Sequence, residues 1–499
     1  MNLVEKLGAQ AELDPERWAL VDGGGRAVSF GGLWKSVRRV AAELDRAGLG
    51  PGDRVLVFHP VAIELYEFLL GCFHAGVAVV LADPSGGRGF LEQVCERVRP
   101  EAFFGSRKAH LLRWTIGSLR RIPHGMHPRG WWPASRPVMN GTREAGLFEV
   151  QAEHPALITF TSGSTGEPKG AVRTHGFLLA QHQALSAALE LVPGERDLVT
   201  LPVFALANLA SGVTSVLADA DLGRPGEADP GRIVAQCRRW EVERATAAPA
   251  FFEALLAGGE AGTLRKVFTG GAPVLPDLIR RLREVGIEAT AVYGSTEAEP
   301  VAEFPSKGWT PEVLEKIKAG RGLPAGRPVL EVAVLPDRFG EPVEAMTADA
   351  FEAQRLAVGE IGEIVVAGPQ VLTGYLDGRD DDETKIRVGD RVWHRTGDAG
   401  WLDAGGGLWL VGRCTAKLGE RYPLQIEAAL RLRFPERRTA ALEVADEVVL
   451  VVEGEADPEF ERAARELGCS QVRSVDLLPM DRRHQSKIDY PKLKEMVGS

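Results

Sequence analysis

The chain is 499 residues long and carries 59 Lys and Arg against 69 Asp and Glu, a net charge of −10. That length predicts more than one compact unit, and a hydrophobic fraction of 44% supplies a core and argues against disorder. The acidic balance excludes a dedicated nucleic-acid binder, which needs surplus cations to neutralise phosphate.

The N-terminal residues include early acidic side chains and no continuous apolar run, so no secretory signal is expected. Phe30 to Ala47 has apolar residues at helical spacing and stops at Gly48 and Gly50, Arg54 to Phe58 reads as a strand, Ala62 to Ala75 as a helix, and Val77 to Ala82 as a strand. This rhythm predicts a parallel sheet with crossover helices. Leu111 to Trp132 concentrates arginines and three tryptophans. It reads either as an interfacial or partner-docking patch, meeting a membrane or a pathway enzyme, or as an amphipathic surface helix with a loop. A second cycle starts at Ala156 to Phe160, continues in a helix over Phe177 to Leu191, and adds strands at Asp197–Leu201, Ala245–Ala248, Lys266–Thr269 and Ala289–Val292. From about Val329 short β-like runs with Gly/Asp/Pro turns take over, and after Arg413 a compact tail of two or three strands and two helices is expected, with Asp446–Glu453 its clearest strand. The boundary falls near Gly412–Lys417. The longest apolar runs are too short to cross a bilayer. The five cysteines are scattered with no C-x-x-C pair, which excludes a disulfide framework or structural zinc site and fits a reducing cytosol. The protein is expected to be cytoplasmic and not integral to a membrane.

The strongest chemical signal is Thr161-Ser162-Gly163-Ser164-Thr165-Gly166-Glu167-Pro168-Lys169-Gly170, directly after an apolar strand. Its glycines let backbone approach an anion, its hydroxyls donate hydrogen bonds and Lys169 adds a positive charge, which together describe a phosphate cradle. A Walker A loop is excluded, because Pro168 precedes Lys169 and Gly170 follows it. Downstream come Gly270-Gly271-Ala272-Pro273, Tyr293-Gly294-Ser295-Thr296-Glu297 after a strand, Arg395-Thr396-Gly397-Asp398, Gly412-Arg413, and Lys487 in a basic segment near the C-terminus.

In kind and order these motifs resemble those of the adenylate-forming superfamily of acyl-CoA synthetases, peptide-synthetase adenylation domains and luciferases. The chemistry fits residue by residue. Glu297 is a carboxylate suited to Mg²⁺, which neutralises a triphosphate, and Thr296 beside it offers a hydrogen bond to the α-phosphate. Tyr293 offers an aromatic face to adenine. Asp398, in a Thr-Gly-Asp turn, accepts ribose hydroxyls as acidic residues do at other nucleotide sites, with Arg413 as a nearby donor. The resemblance implies that Gly271, Ala272 and Pro273 line the adenine and acyl pocket, and that Lys487 is the catalytic lysine stabilising charge as pyrophosphate leaves. It further implies ATP and Mg²⁺ as cofactors and an α/β fold: a large N-terminal domain of α/β subdomains plus a β-rich lobe, residues 1–412, and a small mobile α+β domain, residues 413–499.

One stretch departs from the common pattern. Gly412-Arg413 is followed by Cys414-Thr415-Ala416-Lys417-Leu418-Gly419, without the hinge acid and with a shortened loop, which argues against thioester chemistry. The segments Pro202–Asn208, Arg99–Gly105, Val392–Asp398 and Arg483–Ile488 resemble one branch of the superfamily, the β-lactone synthetases of bacterial long-chain olefin biosynthesis. That branch implies adenylation of a long-chain 2-alkyl-3-hydroxy acid followed by attack of its own hydroxyl, an intramolecular step that proximity favours and that needs no CoA. His394 is a candidate base for the hydroxyl, beside its simpler reading as an ordinary hydrogen-bonded histidine. The alternatives are a long-chain fatty acyl-CoA synthetase and, from another class, a non-catalytic nucleotide-binding scaffold. An acyl or 3-hydroxyacyl substrate and no nucleic-acid partner are expected.

Overall fold

The computed structural model describes residues 2–83, 86–162, 168–480 and 487–498, with Thr161 and Ser162 as backbone. Contacts divide the chain into two units, residues 1–218 with 374–381 and residues 219–373 with 382–499.

The first unit is built on the predicted strand–helix rhythm. Strands Arg136–Pro137, His124–His127, Ala102–Gly105, Arg54–Phe58, Ala78–Leu81, Pro155–Ser162 and Pro168–Thr174 lie side by side in that order. All neighbours are parallel except the last two, which form an antiparallel hairpin. One face of this sheet is sealed by Leu56, Phe103, Ile158 and Phe160 against Leu91, Val94 and Val98 of helix Gly87–Val98 and against Ile116, Leu119 and Ile122. Helix Phe30–Arg46 begins where Ser29 caps it, its Oγ accepting the Gly32 N–H. The helix expected over Phe177–Leu191 instead runs His175–Ala188, because Thr174 caps it by accepting the Phe177 N–H.

The second unit carries the molecule's main described cavity. Strands Arg244–Ala247, Lys266–Gly270 and Glu288–Ser295 are parallel. The sheet then turns antiparallel through Ala298–Pro305, Leu323–Pro328, Leu408–Arg413, Arg391–Leu402, Gly362–Ala367 and Glu331–Leu335. The change therefore comes at residues 295–298, earlier than the Val329 that pattern suggests. Ala298–Pro305 (AEPVAEFP) contains two prolines and little β-propensity, so its strand character comes from its neighbours. Among the described residues after 413, a three-stranded sheet, Thr439–Val444, Glu447–Glu453 and Gln471–Val475, is flanked by three helices, Pro423–Arg433, Pro458–Glu466 and Tyr490–Gly498, one more than the pattern suggests. Strand alternation gives this sheet a core on each side. Ala441, Leu450 and Val452 pack on Ile426, Leu430 and Phe460, whereas Leu442, Val449 and Val451 pack on Leu478, Leu493 and Val497. Among the described residues no helix is long and apolar enough to cross a membrane.

Candidate active site

Several of the predicted site residues gather where the sheet turns from parallel to antiparallel. Strand Glu288–Ser295 delivers Tyr293, whose hydroxyl donates to Asp398 Oδ2 at 2.6 Å. Asp398 lies not in a turn, as its Thr-Gly-Asp sequence suggests, but within the strand Arg391–Leu402. Gly397 supplies the bend, with φ of +69°, a conformation that disfavours any side chain. Asp398 pairs in register with Arg413, whose Nε lies 3.2 Å from Asp398 Oδ1 and whose Nη1 donates to the Thr396 carbonyl at 3.2 Å. Burial, with Asp398 as second cause, pushes the Tyr293 phenol well above its usual pKa, so it stays a donor. The Asp398 charge in turn raises Arg413 and keeps it cationic.

These groups open onto a cavity of about 1020 Å³. Of the predicted site residues, Gly271, Ala272, Pro273, Tyr293, Gly294, Asp398, Arg413 and Lys487 line it. Gly271 has a φ of +81°. Lys487 is exposed and follows strand Gln471–Val475 in the chain, just before helix Tyr490–Gly498.

Ser295, Thr296 and Glu297 do not line the cavity. Thr296 and Glu297 form the turn of the hairpin between Glu288–Ser295 and Ala298–Pro305. Ser295 Oγ accepts the Glu297 N–H at 3.2 Å, and the Glu297 carbonyl accepts the Leu372 N–H at 2.7 Å. The Leu372 carbonyl in turn accepts from Lys385 Nζ at 2.6 Å. Lys385 and His394 are both buried, with Nζ 3.0 Å from His394 Nδ1. His394 Nδ1 also lies 3.2 Å from the Thr384 carbonyl oxygen, so both contacts of this ring nitrogen are made inside the fold. His394 does not line the cavity, which fits the simpler reading of that residue.

In the first unit, Lys169 lies on strand Pro168–Thr174 and its Nζ is 3.2 Å from Asp380 Oδ1. The strands either side of the phosphate loop pair Thr161 with Lys169 and Ser162 with Pro168. Gly163, Ser164, Thr165 and Gly166 lie outside the described residues, as do Arg483–Ser486 of the branch pattern, and of Thr161 and Ser162 the structure describes backbone alone. Arg97 staples the base of the hairpin by donating to the carbonyls of Pro168 and Leu376.

Sequence reasoning missed Arg97, Lys385 and Glu427. Glu427, on helix Pro423–Arg433, lines the cavity fully buried, with its Oε1 accepting from Tyr490 Oη at 2.6 Å and from the Ala441 N–H at 2.8 Å. Burial pushes its carboxyl up to about 7. Arg97 meets Pro168 and Leu376, and Glu427 meets Tyr490, across more than 60 residues, Lys385 meets Leu372 and His394 across 13 and 9, and no local motif announces any of them.

The link from Arg413 to helix Pro423–Arg433 is short and tied down. Cys414–Ala416 is a single 3₁₀ turn, Leu418 and Arg421 exchange backbone hydrogen bonds at 2.7 and 3.0 Å, and Tyr422 Oη donates to Asp337 Oδ2 at 2.6 Å.

The fold is α/β, and one cavity brings together a tyrosine–aspartate–arginine cluster and a C-terminal lysine. The chain belongs to the family of AMP-binding enzymes, matched over residues 7–376, and is an ATP-dependent adenylate-forming ligase. It is 34% identical to the olefin β-lactone synthetase of Stenotrophomonas maltophilia over 91% of this chain and 88% of the relative. It is 32% identical to the olefin β-lactone synthetase of Xanthomonas campestris over 99% and 96%. Its fold is similar to that of the o-succinylbenzoate coenzyme A synthetase of Bacillus subtilis, solved with ATP and magnesium ion, with a TM-score of 0.75, 22% identity, and 98% and 99% of the two chains covered.

Proposed function

We propose that this enzyme activates a long-chain 2-alkyl-3-hydroxy acid as its acyl-AMP and closes that intermediate to a β-lactone. A carboxylate oxygen attacks the α-phosphorus of ATP and pyrophosphate leaves. The 3-hydroxyl oxygen then attacks the acyl carbonyl carbon, the bond to the phosphate oxygen breaks, AMP leaves and the hydroxyl proton is lost to water. Both reacting groups belong to one bound molecule, so the closure is intramolecular.

The observation that carries this reading is the meeting of Gly271 to Pro273, Tyr293, Asp398, Arg413 and Lys487, scattered over more than 200 residues of sequence, around one cavity. In it Asp398 accepts the ribose hydroxyls, Tyr293 fixes the Asp398 carboxylate and presents its ring to adenine, and Arg413 orients Asp398 from the neighbouring strand. The segment Thr161 to Lys169 holds the triphosphate, with Lys169 exchanging Asp380 for phosphate oxygens. Thr296 donates to the α-phosphate. Lys487 stabilises the charge that develops between carboxylate and phosphorus, and residues 413–499, with cores of their own, act as the movable module that brings it in. Among the described residues no group of three or more His, Cys, Asp or Glu could hold a metal. This fits a magnesium ion carried by the nucleotide's own phosphates with Glu297 as its one protein carboxylate, where it would offset triphosphate charge. The compact, internally bonded link at residues 414–422 favours lactone closure over transfer to a thiol, and the two olefin β-lactone synthetase relatives support the same choice.

The test is incubation with ATP, Mg²⁺ and a long-chain 2-alkyl-3-hydroxy acid, with and without CoA, followed by mass spectrometry. A CoA-independent product lighter by one water, formed together with AMP, is expected; a thioester that appears only with CoA would make the enzyme an acyl-CoA synthetase. Lys487→Ala should lower acyl-AMP formation by about 10²–10³-fold, the scale of removing one preorganised charge-stabilising group, while ATP still binds.

A further inference from the structure

Between residues 102 and 143 the chain contains eight Lys and Arg and no Asp or Glu, in a protein whose net charge is −10. The fold concentrates this bias. Helix Arg107–Thr115 is capped by Ser106 and turns Ala109, His110 and Arg113 inward. Its outward face carries Arg107, Leu111 and Trp114, spaced to lie in one stripe, with Lys108 beside them. Trp114 stacks on Trp132 at a centroid separation of 6.1 Å, and the adjacent Trp131 is 78% exposed. Leu111 and Trp114 are about half exposed, while Ile116, Leu119 and Ile122 of the same stretch are buried. Arg120 and Arg121 stand exposed at the end of the short helix Gly117–Arg120. Arg113 is buried and satisfied by carbonyls alone, donating to Leu119 and Ile122, so its charge adds to the field without a carboxylate to balance it. Arg129 is paired with Glu67.

We propose that this face docks on an anionic phospholipid surface, with Leu111, Trp114 and Trp131 entering the headgroup boundary and Arg107, Lys108, Arg120 and Arg121 meeting lipid phosphates. Charge complementarity selects the occupant. Tryptophan and arginine also occur at protein–protein interfaces; what points to lipid is a run of eight cations with no acid between residues 102 and 143, which a surface of uniformly negative headgroups matches. Apolar insertion and basic attraction are each weak alone and together hold a protein reversibly at a bilayer. The placement does not depend on which product the enzyme makes.

The experiment is co-sedimentation of the full-length protein with vesicles of phosphatidylcholine alone and of phosphatidylcholine mixed with phosphatidylglycerol, at low and high salt, alongside light scattering of the protein without lipid. Binding to the phosphatidylglycerol vesicles is expected, weakened by salt. The double variants Arg120→Glu/Arg121→Glu and Trp114→Ala/Trp131→Ala should each lower it by about tenfold or more, with turnover of a short, water-soluble hydroxy acid unchanged. Absent binding, equal binding to both vesicle types, or variants that bind as well as wild type would overturn the proposal. So would a dimer in solution that both variants dissociate, which would assign the face to a second copy of the chain.

Discussion

Arg395 and Asp398 stand three residues apart on the strand Arg391–Leu402, and each forms an acid–arginine pair. Arg395 meets Glu363 with Nη2 at 2.7 Å and Nε at 3.0–3.1 Å from its two oxygens, and both side chains are only 2% exposed. It also donates to the carbonyls of Arg338, Glu341 and Glu383, which ties three segments together. The Asp398–Arg413 pair is a single contact of 3.2 Å, the arginine side chain is 54% exposed, and both residues line the cavity. One pair has spent all its hydrogen-bonding capacity on its own fold. The other keeps capacity for a ligand, and burial and spare valence separate a structural pair from a binding one.

The largest expected effect falls on the sealed pair. Arg395→Ala leaves Glu363 as an uncompensated buried carboxylate, which burial already pushes above its usual pKa, and should cost about 3–5 kcal/mol in urea denaturation. Turnover per folded molecule should hold. A loss below about 1 kcal/mol would erase the contrast between the pairs.

Glu427 sharpens the comparison from a third side, because its hydrogen-bond partners, Tyr490 and Ala441, are neutral. Its carboxyl moves from 4.5 to about 7 on folding. The folded state therefore binds the proton more tightly, and the group's contribution to stability is greatest below pH 4.5 and is lost as pH rises through 7. Glu427→Gln, which imitates the protonated acid, should match wild type at low pH and become more stable by up to about 3 kcal/mol above pH 7. Parallel stability–pH curves for the two proteins would show that Glu427 does not titrate in this range.

For the open pair, Asp398→Ala should lower kcat/KM for ATP by about 10²-fold, the scale of a lost charged hydrogen bond to substrate, with stability altered by under about 1 kcal/mol. A variant that loses several kcal/mol of stability while its folded fraction keeps full activity would place Asp398 alongside Arg395 instead.

What could be read from sequence follows the same division. Tyr293, Asp398 and Arg413 sit in contiguous motifs and Lys487 is singled out by the family resemblance, so all four could be named before any fold, and they line one cavity. The strands at Arg54–Phe58 and Glu447–Glu453 were legible because burial writes apolar runs. Lys385 was not, since a lysine among Thr384, Ile386 and Arg387 looks solvated until the fold buries it against His394 and Leu372. Glu427 was not either, because it meets Tyr490 across 63 residues. The strand bend at Gly397 escaped for a different reason: Thr-Gly-Asp is turn chemistry locally, and only pairing with Leu408–Arg413 keeps it extended.

The smallest change tests how finely the open pair is set. Tyr293→Phe removes the hydroxyl that donates to Asp398 Oδ2 at 2.6 Å and leaves the ring proposed to face adenine. Asp398 keeps its contact with Arg413, so the carboxylate loses one of its two fixed partners. A single hydrogen bond to a charged group corresponds to about 1.5 kcal/mol, which predicts a rise of about tenfold in KM for ATP with kcat unchanged. Because burial holds the phenol far above neutral pH, the wild-type protein should show no titration of Tyr293 between pH 6 and 9, and the variant should keep the wild-type shape of its pH–rate profile in that range, roughly the span in which ordinary histidines and cysteines titrate. A fall in kcat with altered pH dependence would instead make the hydroxyl a participant in proton transfer.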